Sequence, residues 1–427
     1  MHACPGQRAL FPGRRRRGED MGYPLEGIRV LDFGMALAAP FASLMLADMG
    51  AEVIKVERLQ GEPQRHNLPA GMDDVTASKQ GGEDVGSWIT LNRGKKDIAM
   101  DLKKEEAKEI VMKLVEKADV LLHSFRPGVM ERLGLDYRSV SRINPKIIYC
   151  SLSGYGETGP FAHRVGGDMW AQAMSGMVSI QGDPNGPPHM VGFPLNDCAT
   201  GMMTAYAITV ALLGRMRTGV GQEVSLNLLN TAMYLQIMQI SSHLTDGKRV
   251  YKEGRGMAEQ PPPFAPIRAK DGDVLTIFGS GPMWPKFCEV VGREDLARDP
   301  RFADDEKRRE HREELYRLLD ETFSQKTRAE WEQIFRKARM RCDPCLTYEE
   351  LCAHPQVEAN EMIITMDHPV RGEMKMLGVP IKLSKTPGKP RQPGPLLGQH
   401  TREILLQLGY TAEAVAQLEA EGVIGSA

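Results

Sequence analysis

From Cys198 to Gly214 the chain carries no charged side chain, and Ala, Met, Leu and Ile dominate. Such a run is either a helix buried on all sides or a bilayer span. With Thr200, Thr204 and Thr209 inside it, it falls short of the roughly 20 apolar residues that a bilayer requires, so a core helix is expected and no membrane. Asp197 stands immediately before the run. An aspartate there serves as an N-cap for first-turn N–H groups, and a helix start would also favour an ionised, reactive carboxylate by about 0.3–1 kcal/mol. The two roles are compatible, and position alone leaves both open. Upstream lie a glycine loop (Gly154, Gly156, Gly159), a tight point at Gly166 and Gly167, and a Pro/Gly-rich turn at 183–188.

Residues 28–33 (IRVLDF) read as a buried strand, 34–40 as a loop, 41–49 as a short helix ended by Gly50, and 53–56 as another strand. Strand, helix and strand joined by short links predict an α/β fold with a parallel sheet. Strands at 98–102, 119–125 and 146–152, with an amphipathic helix over 104–118, extend it. The pattern changes after residue 226. An extended QPPPFAP at 260–266, a short strand at 274–278 and a charged helical stretch over 304–338 predict a smaller α+β domain at 226–334.

Several function classes lose their markers. No G-x-G-x-x-G follows the first strand, and G-x-x-x-x-G-K-[ST], G-x-S-x-G and H-E-x-x-H are absent. Lys plus Arg number 54 against 56 Asp plus Glu, so no global field gathers nucleic acid and none is expected as a partner. The basic run Asn92-Arg93-Gly94-Lys95-Lys96 is then a solvated turn or a local phosphate contact. Seven scattered cysteines speak for a reducing cytoplasm rather than a disulfide framework. Cys342-x-x-Cys345 with Cys352 and His354 could supply four zinc ligands. The intervening residues 348–351 read instead as a helix start, and no metal is expected. Residues 1–20, with Arg14 to Arg17 and no apolar core, are no secretory signal and are expected to form a disordered extension.

The signatures LxGIRVLDF, LADMGAEVIKVER, NRGKK, RPGVMERLGLDY, NPKIIYCSLSGYGETGP, LND before the uncharged run, TGVGQ and PLLGQHTREILLQLGY occur in that order. Together they resemble the class III CoA-transferase family, which includes formyl-CoA:oxalate and carnitine CoA-transferases and the related α-methylacyl-CoA racemases. The resemblance implies a Rossmann-like parallel-sheet large domain built from both chain ends (21–225 and 335–427), with 226–334 an inserted smaller α+β domain. It further implies an interlocked ring homodimer. The implied activity moves CoA from an acyl-CoA donor to a small carboxylic acid through an aspartyl anhydride and an aspartyl-CoA thioester. The CoA thioester is substrate, and no metal or redox cofactor is implied.

By the same resemblance Asp197 is the catalytic carboxylate, with Asp168, Gly154 and Gly156 as second acidic and oxyanion-loop residues. The implied CoA contacts are Met35, Ala36, Leu37, Ala38, Arg58, Met100, Lys103, Phe125 and Arg132, the cations meeting phosphates and Phe125 lying by the adenine. Met35 and Leu37 replace polar residues of the formyl-CoA enzymes. Arg65 and His66 are either solvated or partners for a second substrate carboxylate. The racemases carry His-Asp where this chain has Gly167-Asp168, and glycine exchanges no proton, so racemization stands as the alternative. The comparable small-domain loop reads Arg255-Gly256-Met257-Ala258-Glu259-Gln260 instead of a glycine run, so oxalate is not expected as acceptor.

Overall fold

The computed structural model describes residues 22–66, 84–257, 260–276 and 281–427; the expected extension at 1–20 lies outside them, as do 277–278 of the strand expected at 274–278. Strand β1 (Arg29–Phe33) alternates between two cores, Val30 entering one and Leu31 and Phe33 the other. That double burial is why its sequence is an unbroken apolar run. Helix α1 (Ala38–Asp48) returns the chain to β2 (Glu52–Glu57). Helix α2 (Gly86–Leu91) precedes β3 (Lys95–Met100), and α3 (Glu105–Glu116) leads to β4 (Val120–His123). Helix α4 (Tyr137–Ile143) leads to β5 (Ile148–Ser153), which with β6 (Gln222–Asn227) completes a parallel set, and the short strand Ile424–Gly425 closes the edge antiparallel to β3. The spatial order is Ile424–Gly425, β3, β2, β1, β4, β5, β6. Helices α1 and Leu195–Thr218 cover one face, while α3 and Thr401–Gln407 cover the other.

The chain divides into two compact units. One comprises the described residues up to Ala171, Phe193–Ala232 and Pro355–Ala427; the other comprises Gln172–Gly192 and Met233–His354. The second unit has a three-stranded antiparallel sheet (Pro266–Ala269, Gly272–Thr276, Cys342–Pro344). Behind it lies an aromatic core of Trp284, Phe287, Phe323, Trp331 and Phe335. The charged stretch at 304–338 is three helices, Asp305–Glu310, Arg312–Phe323 and Arg328–Lys337, the last opened by a Thr327–Glu330 capping box. Cys342 is buried in this core, and among the described residues no His/Cys/Asp/Glu cluster is arranged to hold a metal.

The uncharged run lies in α5 (Leu195–Thr218), and the expectation of burial on all sides is corrected. Asn196, Ala199, Thr200, Thr204, Ala205, Ile208, Ala211 and Leu212 are buried, whereas Met202, Tyr206, Val210, Leu213 and Met216 are exposed. Every turn of the run offers apolar side chains to both sides, so composition could not show that only one side is covered. By length and composition this helix could also cross a membrane; its inner face packs on α1 and the sheet.

Candidate functional site

Strand order reverses between β1 and β4, and at such a switch point the loops leaving the carboxyl ends of the strands diverge and open a crevice. Most of the residues singled out in the sequence follow those carboxyl ends. Met35, Ala36, Leu37 and Ala38 follow β1, Arg58 follows β2, Lys103 lies beyond β3, Phe125 follows β4, and Gly154 and Gly156 follow β5. The Met35 N–H donates to Ser124 Oγ at 2.9 Å, tying the loop after β1 to the loop after β4 across the reversal. Arg58 is half-buried, its Nε donating to Gly61 O at 2.6 Å. Lys103 and Arg132 are exposed. Phe125 is half-buried and stacks on His123 at 6.3 Å between ring centroids. Met100 is a correction: its side chain is fully buried in the core opposite Ile424 and cannot line a ligand site.

Asp197 is not the N-cap of α5, which corrects the capping expectation. The cap position is Pro194, which has no side-chain acceptor, and Asp197 sits inside the first turn. The orphan donors are satisfied from elsewhere in the chain: Asp168 Oδ2 accepts from Asn196 N–H at 2.7 Å and from Asp197 N–H at 3.1 Å. Sequence reasoning paired the two aspartates but missed this division of labour. The available signal was Gly166-Gly167-Asp168, where the glycines let the chain approach closely. Among the described residues no side-chain hydrogen bond or ion pair engages the Asp197 carboxylate. Burial, and then the neighbouring Asp168 charge, push it up to about 7.

Helical periodicity puts Asp197 on the same face as Gly201, one turn later. A Cβ at Gly201 would lie 2.7 Å from Ala38 O, so α5 crosses α1 at its first residue. Asp197 therefore lies one turn before the point where α5 meets the start of α1, whose cap position Leu37 provides no side-chain cap. A cavity of about 950 Å³ lies beside this crossing, its lining including Leu37, Phe41, Pro194, Cys198, Met202 and Met374. At the glycine loop, Gly154 and Gly166 meet backbone to backbone, a Cβ at Gly154 falling 2.4 Å from Gly166 Cα. The Gly156 N–H already donates to Ser153 Oγ at 3.0 Å, so the oxyanion role expected for it would require that bond to break.

The basic turn and Arg65 are the largest departures from expectation, since neither is solvated or available to a ligand. Beneath the switch point, on the α1 face of the sheet, lies a buried layer of Asp32, Lys55, Glu57, Lys95 and Asp97. Lys95 Nζ donates to Asn92 Oδ1 at 2.7 Å and pairs with Asp32 at 3.2 Å. Arg93 forks onto Asp48, with Nη2–Oδ2 at 2.6 Å, and Arg65 joins Glu57 at 2.8 Å and Asp84 at 2.7 Å. Burial alone would lower the Lys55 pKa, but Glu62, Glu57 and Asp32 hold it above its ordinary value. Burial pushes Lys95 down to about 8, and burial with the adjacent Glu57 charge raises Asp97 well above the usual carboxylate range. His66 is half-buried, its Nδ1 buried without a hydrogen-bond partner among the described residues.

Residues 25–401 match the model of the family described as CoA-transferase family III. An acyl-CoA transferase of Fusarium pseudograminearum is 37% identical over 94% of this chain and 88% of its own length. The succinyl-CoA:glutarate CoA-transferase of Mus musculus is 34% identical over 98% of this chain and 94% of its own. The crystal structure of a CAIB/BAIF family protein from Brucella suis superposes with a TM-score of 0.80 at 32% identity, covering 91% of this chain and all of that one.

Proposed function

The chain belongs to CoA-transferase family III, and on that premise we propose that it moves CoA from an acyl-CoA donor to a small carboxylic acid, with Asp197 as nucleophile. The observation that carries the reading is the Asp197 carboxylate, desolvated, without a side-chain hydrogen bond or ion pair among the described residues, and one helical turn before the crossing of α5 with the start of α1. In the first step a carboxylate oxygen attacks the thioester carbonyl and expels CoA thiolate, leaving an acyl-aspartyl anhydride. The thiolate then attacks the aspartyl carbonyl, releasing the donor acid and leaving an aspartyl-CoA thioester. The acceptor acid runs the two steps in reverse.

A carboxylate near its ordinary value would displace a thiolate of pKa about 8.5 at a cost on the order of 6 kcal/mol. With Asp197 pushed up to about 7, the same comparison leaves about 2 kcal/mol. Binding of the remote nucleotide end of CoA can supply that. Arg58, Lys103, Phe125 and Arg132 are the proposed contacts for that end, and the donor's acyl part extends into the cavity beside Pro194 and Cys198. The names of relatives support succinyl-CoA and dicarboxylic acids as the first substrates to try. The exposed stripe from Met202 to Met216 on α5 supports a homodimer, which light scattering checks directly.

The direct experiment mixes the protein with its donor in the absence of acceptor and quenches with hydroxylamine. Release of free CoA with conversion of Asp197 to a hydroxamate is expected. A hydroxamate on Asp168 would reassign the nucleophile. Wash-in of deuterium at the donor α-carbon without acceptor would favour racemization over transfer.

A further inference from the structure

The turn at 34–36, which carries the loop after β1 into α1, is held by hydrogen bonds along its backbone. Gly34 N–H donates to Asp32 Oδ1 at 2.8 Å, Lys55 Nζ donates to Gly34 O at 2.9 Å, and Met35 N–H donates to Ser124 Oγ at 2.9 Å. The last bond comes from Ala36, whose N–H donates to Glu62 Oε2 at 3.1 Å. Ala36 has φ 62, a left-handed conformation that a residue with a Cβ keeps only where its surroundings enforce it. Glu62 is 4% exposed. Its other oxygen accepts from Trp88 Nε1 at 2.6 Å and pairs with Lys55 at 3.1 Å. A carboxylate held by an indole and a buried ammonium does not rotate away, so the oxygen facing Ala36 is fixed.

Glu62 also belongs to the segment after β2, one residue beyond Gly61, whose carbonyl receives Arg58 Nε. It thereby joins the loop that carries Arg58 to the loop after β1, while Met35 joins that loop to Ser124, the neighbour of Phe125. Three loops at the carboxyl edge are locked at fixed spacing, with cation, turn and aromatic ring in one register.

We propose that Glu62 is a positioning residue for CoA, acting through the Ala36 N–H to hold the turn in the shape that receives the ligand. The proposal rests on the reading of residues 35–38 as CoA-facing. Glu62 itself touches no substrate. Removing its charge lets the turn relax toward ordinary φ, and the affinity for CoA falls.

The test is calorimetric titration of free CoA into the wild type, Glu62→Gln, and the double variant Glu62→Gln with Ala36→Gly, with a circular-dichroism melt confirming that each is folded. Loss of a charge-assisted hydrogen bond predicts CoA binding weaker by about tenfold in Glu62→Gln, with the donor KM rising in step. The double variant recovers part of the loss, because glycine occupies φ 62 without a clasp. Should Glu62→Gln not fold, Glu62→Asp keeps the negative charge beside Lys55 while its shorter side chain draws the oxygen back from the Ala36 N–H, and a loss of about tenfold is expected there. A wild type that binds no CoA overturns the reading of the site itself. Wild-type affinity in Glu62→Gln, or in Glu62→Asp where that variant is the one tested, overturns the clasp alone. So does a weakened Glu62→Gln that glycine at position 36 fails to rescue.

Discussion

Replacing Asp197 with Asn should make the protein more stable and inactive, and the gain should depend on pH. The native carboxylate keeps its proton up to about 7, whereas in the unfolded chain it loses it near 3.9. Between those values the folded state binds the extra proton, so stability falls as pH rises through the window and the deficit is complete above 7. At 1.36 kcal/mol per pH unit the full deficit is about 4 kcal/mol, of which about 2.5 kcal/mol develops between pH 5 and pH 8. Asparagine never ionises and escapes the penalty. For a chain of 427 residues, an unfolding entropy near 0.9 kcal/mol/K translates 2.5 kcal/mol into about 3 °C of Tm. Thermal and urea melts of wild type and Asp197→Asn at pH 5 and pH 8 measure it, with turnover expected to fall by about 10⁴. An Asn advantage equal at the two pH values, or an Asn variant less stable at pH 8, would refute the claim that Asp197 is a desolvated charge held in place for chemistry.

The rate profile should share that midpoint: kcat/KM for the donor rises about tenfold per pH unit below pH 7 and then levels off. Asp168→Asn keeps an oxygen for the Asn196 and Asp197 N–H groups while removing the charge that raises Asp197, so stopped assays across pH should show the midpoint moving down. Gly201→Ala places a Cβ 2.7 Å from Ala38 O; forcing α1 and α5 apart should cost about 1–3 kcal/mol in urea denaturation and weaken CoA binding. An unchanged melt would mean that the helices do not meet there. Arg65→Met leaves Glu57 buried without its guanidinium and should destabilise by about 3–5 kcal/mol, a loss that a urea titration detects and that a solvated Arg65 would not produce.

The apolar skeleton was legible because periodicity reports burial directly. Residues 28–33 and 53–56 are strands in place, and the Asp197 position is set by the uncharged run behind it. Charge misled for a physical reason. Lys95 and Arg93 look solvated because each is unpaired in sequence, and their partners Asp32 and Asp48 lie 63 and 45 residues away. The pairing depends on strand register, which no local pattern records. For the same reason β3 starts at Lys95 rather than near residue 98. Asp168 resisted in another way. Its hydrogen bonds run 28 and 29 residues forward, so it supplies the cap that position had suggested for Asp197. The hairpin of Ile363–His368 and Gly372–Leu377 went unread because its strands are only partly buried and their alternation is weak.

The strand Ile424–Gly425 gives the sheet a history as well as an edge. Ile424 pairs with Met100, 324 residues earlier in the chain, and Gly425 O receives Thr401 Oγ1 at 2.7 Å. At roughly 5–20 residues per second of synthesis, β3 waits on the order of 16–65 s with its outer backbone groups unpaired. A bare strand edge over that interval is a template for foreign strands. Lys96 near its start, whose partner Glu403 is made 307 residues later, carries charge that discourages such pairing until the ribosome delivers the residues that cover it. Yield of soluble protein should therefore respond to translation rate and to edits within residues 420–427 even where the finished enzyme is indifferent to them.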